Sequence, residues 1–302
     1  MVQKDILDVL SPNVKKIILN NDYKDLQEIR IKADKPLILE GDHKEYVTNY
    51  CCSLVDISII MQKIMNYSLY AFDEELRQGY ITMKGGHRVG ICGNCIIENN
   101  KIKTIKNISS LNIRVCTEVL GCSDKIFKYI TEKGEVLNTI IISPPKCGKT
   151  TILRDMARNI SDGNKYLNNP SKVCIVDERS EIGSLSRGST LMDLGIRTDI
   201  LDNCPKSAGI MMAIRSMSPD IIVCDEIGTY KDMESILSAI CSGIKLVTSI
   251  HGYDVEDLFN KIVFKEIMEN KVFDRGVVLS EKKVGKIKYI YDFKRKINIW
   301  EE

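Results

Sequence analysis

The chain has 302 residues, with 43 Lys and Arg against 41 Asp and Glu and a net charge of +2. That length accommodates two domains, each able to bury its own core. The near-neutral, intermixed charge argues against a nucleic-acid partner, and no apolar run approaches the roughly 20 residues that span a bilayer.

The opening MVQKDILDVL carries charges inside its apolar run and does not read as a secretory signal, so an intracellular protein is expected. Ile6, Leu7, Val9, Leu10, Val14, Ile17 and Ile18 recur at helical spacing and are interrupted by Ser11-Pro12, which predicts two short helices, the second starting at Pro12. Leu26 to Glu40 alternates around a turn at Lys32 to Pro36 and reads as a hairpin. Leu54 to Gln78 has the pattern of one long amphipathic helix. Tyr80 to Val115 returns to short strands, with turns at the glycine pair and at Asn99-Asn100. Within it Cys92-Gly-Asn-Cys95 is a lone C-x-x-C; zinc would need a second pair at suitable spacing, and a glycine-tight turn between two strands is the expectation. The eleven cysteines, several inside apolar runs, fit reduced thiols. These elements make residues 1–119 an α+β domain, with a boundary at Leu120-Gly121.

A helix is expected over Ser123 to Lys133, with Ser123 or Asp124 near its N-cap. From Val136 the character changes. Buried strands IIIS, VCIVDE, IIVCDE and KLVTSIH alternate with helices, which implies a doubly wound, mostly parallel α/β sheet over residues 120–302, with Tyr289 to Phe293 and the tail after it as an added edge strand. Ligands of such sheets sit beyond the carboxyl ends of the strands.

The first of these strands runs into Ser143, Pro144, Pro145, Lys146, Cys147, Gly148, Lys149, Thr150 and Thr151, and a helical pattern follows. Strand, tight loop, GK[ST] and helix form the context of a phosphate-binding loop. Gly148 lets backbone approach the phosphates, Lys149 would reach the β- and γ-phosphates of ATP, and Thr150 would give its hydroxyl to Mg²⁺. Ser143 stands where the motif has its first glycine, and serine tolerates a positive φ poorly.

Asp177-Glu178 and Asp225-Glu226 each close an apolar strand. A carboxylate there can hold Mg²⁺, and a neighbouring glutamate can orient or deprotonate water. Asp225 is assigned to Mg²⁺ and Glu226 to the water, with Glu178 a second candidate base or its positioner. Either pair could instead cap a helix. Leu185-Ser186-Arg187-Gly188 lies too far from Asp225 for the signature of a transporter cassette. His251 ends the fourth strand and can sense the γ-phosphate, or else it is a turn histidine before Gly252. The charge that develops on a transferred phosphoryl group calls for an arginine. Arg30, Arg88 and Arg114 are the candidates from the first domain, and Arg179, Arg197 and Arg215 those from the second.

PPKCGKTTILRD, VDERSEI, GIRTDILDNCPKSAGIMMAIRSMSPDIIVCDEIG and VTSIHG resemble the stage III sporulation protein AA family, as do QEIRIKADKPL, GYITMKGGHRVGICG and ISSLNIRV in the first domain. That family is related to the ATPases of type II and type IV secretion. The resemblance implies a RecA-like P-loop NTPase core preceded by a smaller α+β domain. It carries the Walker A loop onto Ser143–Thr150, the acidic box onto Asp177 and Glu178, the Walker B strand onto Asp225 and Glu226, and the histidine box onto His251. It also implies a ring, typically a hexamer, with nucleotide between the domains and near a neighbouring subunit. The ring would energise membrane-embedded sporulation channel proteins from the mother-cell cytoplasm. The family's loop usually has glycine where this chain has Ser143 and Lys146, and a nucleotide-gated ring scaffold with negligible hydrolysis is the alternative.

Overall fold

Alternating and unbroken apolar patterns become two different kinds of sheet in the computed structural model, which describes residues 4–20, 26–41, 44–65, 73–83, 85–116, 118–183, 185, 190, 192–260, 264 and 270–301. The chain divides into two compact units, Met1–Thr117 with Ser184–Leu191, and Glu118–Gly183 with Met192–Glu302.

The first unit begins with α1 (Lys4–Val9) and α2 (Pro12–Asn20), continues through β1 (Leu26–Lys32), β2 (Pro36–Gly41), β3 (Lys44–Cys51), α3 (Leu54–Ile64) and α4 (Asp73–Gln78), and ends in β4 (Tyr80–Thr82), β5 (Arg88–Glu98) and β6 (Lys101–Arg114). Among the described residues the strands make a six-stranded sheet in the order β3-β2-β1-β6-β5-β4, every pairing antiparallel. Period-two alternation sends Ile29, Ile31, Leu37, Leu39, Val89, Ile91, Leu111 and Ile113 to one face, where they share a core with Ile6, Leu10, Val14 and Ile18 of the first two helices and Ile57, Ile60 and Met61 of α3. Asp56 ties this layer together. It closes the capping box of α3 with Ser53, and it accepts hydrogen bonds from the hydroxyls of Ser11 (2.6 Å) and Tyr50 (2.8 Å).

Two expectations are corrected here. The single helix over Leu54 to Gln78 is two, because α3 reaches its C-cap at Met65 and α4 starts at Asp73. The next residues in the chain, Asn66, Tyr67 and Ser68, are weak helix formers; Tyr70 and Ala71, expected on the apolar face, fall outside the described residues. Cys92 to Cys95 is not a turn between strands. It lies inside β5 at a bulge, where the register with β6 slips between Cys92 and Asn94, and both cysteines are exposed. The reversal comes later, at Asn99 and Asn100 (φ 53° and 57°), as a two-residue hairpin of left-handed residues requires.

The second unit opens with α5 (Asp124–Ile130) and a short hairpin, β7 (Thr131–Glu132) and β8 (Glu135–Val136), so the expected helix over Ser123 to Lys133 ends three residues early. Thr131 Oγ1 donates to Phe127 O at 2.7 Å while its own backbone turns extended, and Lys133 and Gly134 take left-handed turn conformations. Then come β9 (Thr139–Ser143), α6 (Lys149–Asp162), β10 (Val173–Asp177), β11 (Thr198–Asp202), α7 (Lys206–Ser216), β12 (Ile221–Cys224), α8 (Tyr230–Cys241), β13 (Lys245–His251), α9 (Glu256–Asn260), β14 (Arg275–Leu279), β15 (Ile287–Asp292) and β16 (Ile297–Asn298). Among the described residues they form an eight-stranded sheet in the order β11-β10-β12-β13-β9-β14-β15-β16. From β11 to β14 all neighbours are parallel, and β15 and β16 add antiparallel strands.

The unbroken apolar runs follow from burial on both faces. Ile140, Ile142, Cys174, Val176, Ile222, Cys224, Leu246 and Ile250 pack with α7 and α8. Residues of opposite parity, Ile141, Ile175, Val223 and Val247, are fully buried as well, and α6 touches β9, β10, β12 and β13. Two strands of the sheet, β11 and β14, extend it beyond the four read from the sequence. Among the described residues no helix is long and apolar enough to cross a membrane.

The β5 bulge can be tested at Gly93, where an added Cβ would lie 2.6 Å from Lys106 O. Gly93→Ala is expected to destabilise the chain by about 1–3 kcal/mol in denaturant titration. An unchanged midpoint would contradict this packing.

Candidate functional site

The loop between β9 and α6 is shaped by two left-handed residues, Lys146 (φ 63°) and Gly148 (φ 89°). Ser143 is not one of them. It is the last residue of β9, fully buried and in register with His251, so serine meets no conformational penalty there. Gly148 is the N-cap of α6 and offers no side-chain acceptor, and no acidic residue follows in the first turn. The leading N–H groups of a 14-residue helix therefore lack side-chain partners, which is the local condition for receiving an anion. The loop is pinned from outside: Gly285 N donates to Cys147 O at 2.9 Å, and a Cβ on Gly148 would lie 3.2 Å from Gly285 N. Pro144 is held by the Ser143 hydroxyl, which donates to its carbonyl at 2.8 Å, while Cys147 Sγ lies 3.5 Å from Pro145 O. Thr150 and Thr151 follow in the first turn, both half-buried.

Parallel pairing brings the carboxyl ends of β9, β13, β12 and β10 to one edge of the sheet. A line of side chains runs along those four tips. Lys149 Nζ lies 3.3 Å from His251 Nδ1, His251 Nε2 lies 3.1 Å from Glu226 Oε1, and Arg179 Nη1 donates to Glu226 Oε2 at 3.3 Å. Burial lowers the proton affinity of the Lys149 ammonium against the pull of Glu226 and Asp225. Glu226 has a left-handed backbone (φ 29°), and its N–H donates to Ser249 Oγ at 3.0 Å.

The two acidic pairs divide into different roles. Asp177 is fully buried and accepts from Glu181 N (2.9 Å), Ile182 N (2.7 Å) and Gly183 N (2.8 Å), so it anchors a turn and has no spare oxygen facing a ligand. Arg154 of α6 grips the same turn through Ile182 O (2.8 Å) and Glu181 O (2.7 Å). Glu178 accepts from Lys206 Nζ at 2.9 Å. Asp225 is 3% exposed, and its Oδ1 is a buried oxygen with no hydrogen-bond partner, 3.8 Å from Lys206 Nζ. Burial, reinforced by Asp177 and Glu181 and opposed by Lys206, pushes the Asp225 carboxyl up to about 6.

Lys206 was not singled out in the sequence, although its position gave a signal. It is the first residue of α7, where a cation faces the positive end of the helix dipole, so it needs acceptors elsewhere. Among the candidate arginines, only Arg179 lies in this line. Arg197 Nη1 is held by Ser161 O at 3.1 Å, and Arg215 sits exposed in the last turn of α7. Arg88 and Arg114 belong to the first unit, directly opposite each other on β5 and β6, with Glu28 next across β1. The Arg88 guanidinium lies 4.0 Å over the Tyr80 ring, Arg114 is exposed, and Arg30 is paired with Glu28. Among the described residues no group of His, Cys, Asp and Glu suffices by itself to hold a metal, Cys92 and Cys95 included.

The family model for sporulation stage III, protein AA matches residues 1–298. Over 292 residues the chain is 39% identical to the stage III sporulation protein AA of Bacillus subtilis (strain 168), covering 95% of this chain and 94% of that protein. Among solved structures it is similar to the Legionella pneumophila ATPase DotB, at 15% identity and a TM-score of 0.59 over 93% of this chain and 79% of that one. It is also similar to the pilus retraction motor PilT with bound ADP, at 13% identity and a TM-score of 0.58 over 91% of this chain and 78% of that one. The α/β fold is thus shared with the ATPase DotB and the motor PilT.

The strain at Asp225 has a measurable pH signature. A carboxyl that titrates near 6 in the folded chain and near 3.8 otherwise adds no penalty below the lower value, a growing one between them, and its full penalty above about 6. Asp225→Asn removes that penalty. Without nucleotide it should melt above the wild type at about pH 8, by an amount on the order of 2 kcal/mol, and the gap should close towards about pH 4. Calorimetry showing the same gap at both ends would contradict the burial argument.

Proposed function

The chain belongs to the sporulation stage III protein AA family, and from that premise we propose that it is an Mg²⁺-dependent ATP-hydrolysing motor of endospore formation. The observation that carries the reading is the line Lys149–His251–Glu226 across adjacent strand tips, beside a helix N-terminus whose N–H groups have no side-chain cap. ADP bound in the similar fold of PilT supports nucleotide as the ligand.

The loop from Ser143 to Thr151 would receive the polyphosphate on backbone N–H groups, with the Lys149 ammonium on its terminal phosphates. The unbonded Asp225 Oδ1 would suit a hard cation, and Thr150 would offer a second protein oxygen. Since no set of side chains suffices alone, phosphate oxygens and water would complete the metal's shell. When bound, Mg²⁺ draws negative charge away from the phosphates. Glu226, restrained on both oxygens by His251 and Arg179, would accept the proton of the attacking water as its oxygen bonds to the γ-phosphorus and the bond to the β-phosphate oxygen breaks. His251 touches both Lys149 and Glu226, and so would report loss of the γ-phosphate to β13. Glu178 would steer through Lys206 rather than act as a base.

Arg88 and Arg114 would come from a neighbouring copy in a ring, with six subunits as the proposed number. Half-buried Arg88 and exposed Arg114 stand directly opposite each other, so one phosphate could meet both. The ring would act at the mother-cell cytoplasmic face and energise membrane-embedded channel proteins. The alternative, a scaffold with negligible turnover, loses its motive at Ser143, which lies in an extended strand, and keeps the one at Lys146, a non-glycine residue with φ 63°.

Lys149→Ala should abolish ATP binding. Glu226→Gln should bind ATP yet release phosphate on the order of 100-fold more slowly or worse. Arg88→Ala or Arg114→Ala should keep ATP binding and lose turnover. A measured mass that stays monomeric with a non-hydrolysable ATP analogue, together with no phosphate release, would overturn the motor reading.

A further inference from the structure

Lys206 is 4% exposed; its ammonium donates to Glu178 Oε2 at 2.9 Å and to the Glu226 main-chain carbonyl at 3.2 Å, and it lies 3.8 Å from Asp225 Oδ1 as an ion pair. Two carboxylates and a carbonyl converging on one point are the donor set of a hard cation, and here an ammonium fills it. Its placement is doubly unfavourable, since it is buried and it stands at the positive end of α7, behind a Pro205 N-cap that makes no side-chain bond. Three oxygens offset both terms. At 3.8 Å the ammonium neutralises Asp225 without occupying the lone pairs of Oδ1, which remain unbonded.

We propose that Lys206 is a resident counter-ion that keeps the carboxylate end of the site from loading a divalent cation until nucleotide arrives. This rests on the nucleotide reading above and adds its order of binding. A divalent ion at Asp225 would sit close to a fixed positive charge in a poorly solvated place, and the repulsion opposes binding. Phosphates in the loop reverse the balance, because their charge outweighs one ammonium. Metal therefore enters with the nucleotide and not before it. The bond to the Glu226 carbonyl gives Lys206 a second duty as a positioning residue, since it helps hold the left-handed peptide that aims the Glu226 side chain.

The test is Mn²⁺ binding to the full chain, read from the electron paramagnetic resonance of free Mn²⁺, with and without ADP. Nucleotide-free wild type should bind Mn²⁺ weakly. Lys206→Met should bind it without nucleotide at least about tenfold more tightly, because the opposing charge is gone. Lys206→Arg, which keeps the charge, should behave like the wild type, and Lys206→Gln replaces Lys206→Met if the latter does not fold. Tight Mn²⁺ binding by nucleotide-free wild type overturns the proposal, and so does Lys206→Arg that binds Mn²⁺ as Lys206→Met does. ADP binding is measured on the same samples by calorimetry. If no form binds ADP, the nucleotide reading fails, whereas the Mn²⁺ contrast between wild type and Lys206→Met still decides the role of the lysine.

Discussion

A carboxylate buried to 3% exposure with an oxygen left unbonded is the constraint from which the second unit's site follows. Such a group is tolerated only where opposite charge lies near and the surrounding backbone is otherwise satisfied. The sheet meets both conditions. Parallel strands deliver their carboxyl ends to one edge, so Asp225 arrives beside Lys206, while Arg179 reaches Glu226 and Lys149 reaches His251. Three cations thus ring three carboxylates, those of Glu178, Asp225 and Glu226. The neighbouring Asp177 is taken out of the contest by the backbone N–H groups of its own turn.

The fold was legible where burial is two-sided. β9, β10 and β12 are buried along their whole length, so their sequences are apolar without interruption and can be read as central strands. β11 escaped because it is an outer strand with one neighbour, and Asp199 and Asp202 dilute its apolar pattern. β14 is as buried as the central strands but has only five residues, beginning with Arg-Gly, too short a run to stand apart from its surroundings. The Cys92–Cys95 turn was misread for a different reason. A glycine inside an alternating pattern marks a bulge as readily as a reversal, and what separates them is the partner strand, which local sequence does not reveal.

The site was legible at the level of position and less so at the level of role. Any polar residue that follows an apolar strand run stands at the functional edge of such a sheet, which is why Lys149, Asp225, Glu226 and His251 could be named together. The two Asp-Glu pairs look alike in sequence, yet Asp177 is consumed by N–H groups of residues 181–183 and Asp225 is not. That difference depends on where the following loop turns, a property of tertiary structure. Ser143 was misjudged because the motif's glycine was equated with a positive φ. In this loop the left-handed positions are Lys146 and Gly148.

Backbone strain follows the same edge. Beyond the ends of β9, β10, β11 and β12 stand Lys146, Ser180, Asn203 and Glu226, each a non-glycine residue with positive φ. Such conformations cost about 1–3 kcal/mol each and persist only where their surroundings over-determine them. Here the restraints are visible. The Ser180 hydroxyl meets both Asp202 oxygens at 2.9 Å, and Cys147, next to Lys146, is clasped by Gly285 N. Glu226 is tied at its N–H to Ser249 and at its carbonyl to Lys206. Strain at one strand end would be an accident of packing. Strain at four strand ends, three of them visibly clamped and all on the edge that carries the acids and lysines, means that this edge is shaped for what it must receive, and the stability for that comes from the two-sided core behind it.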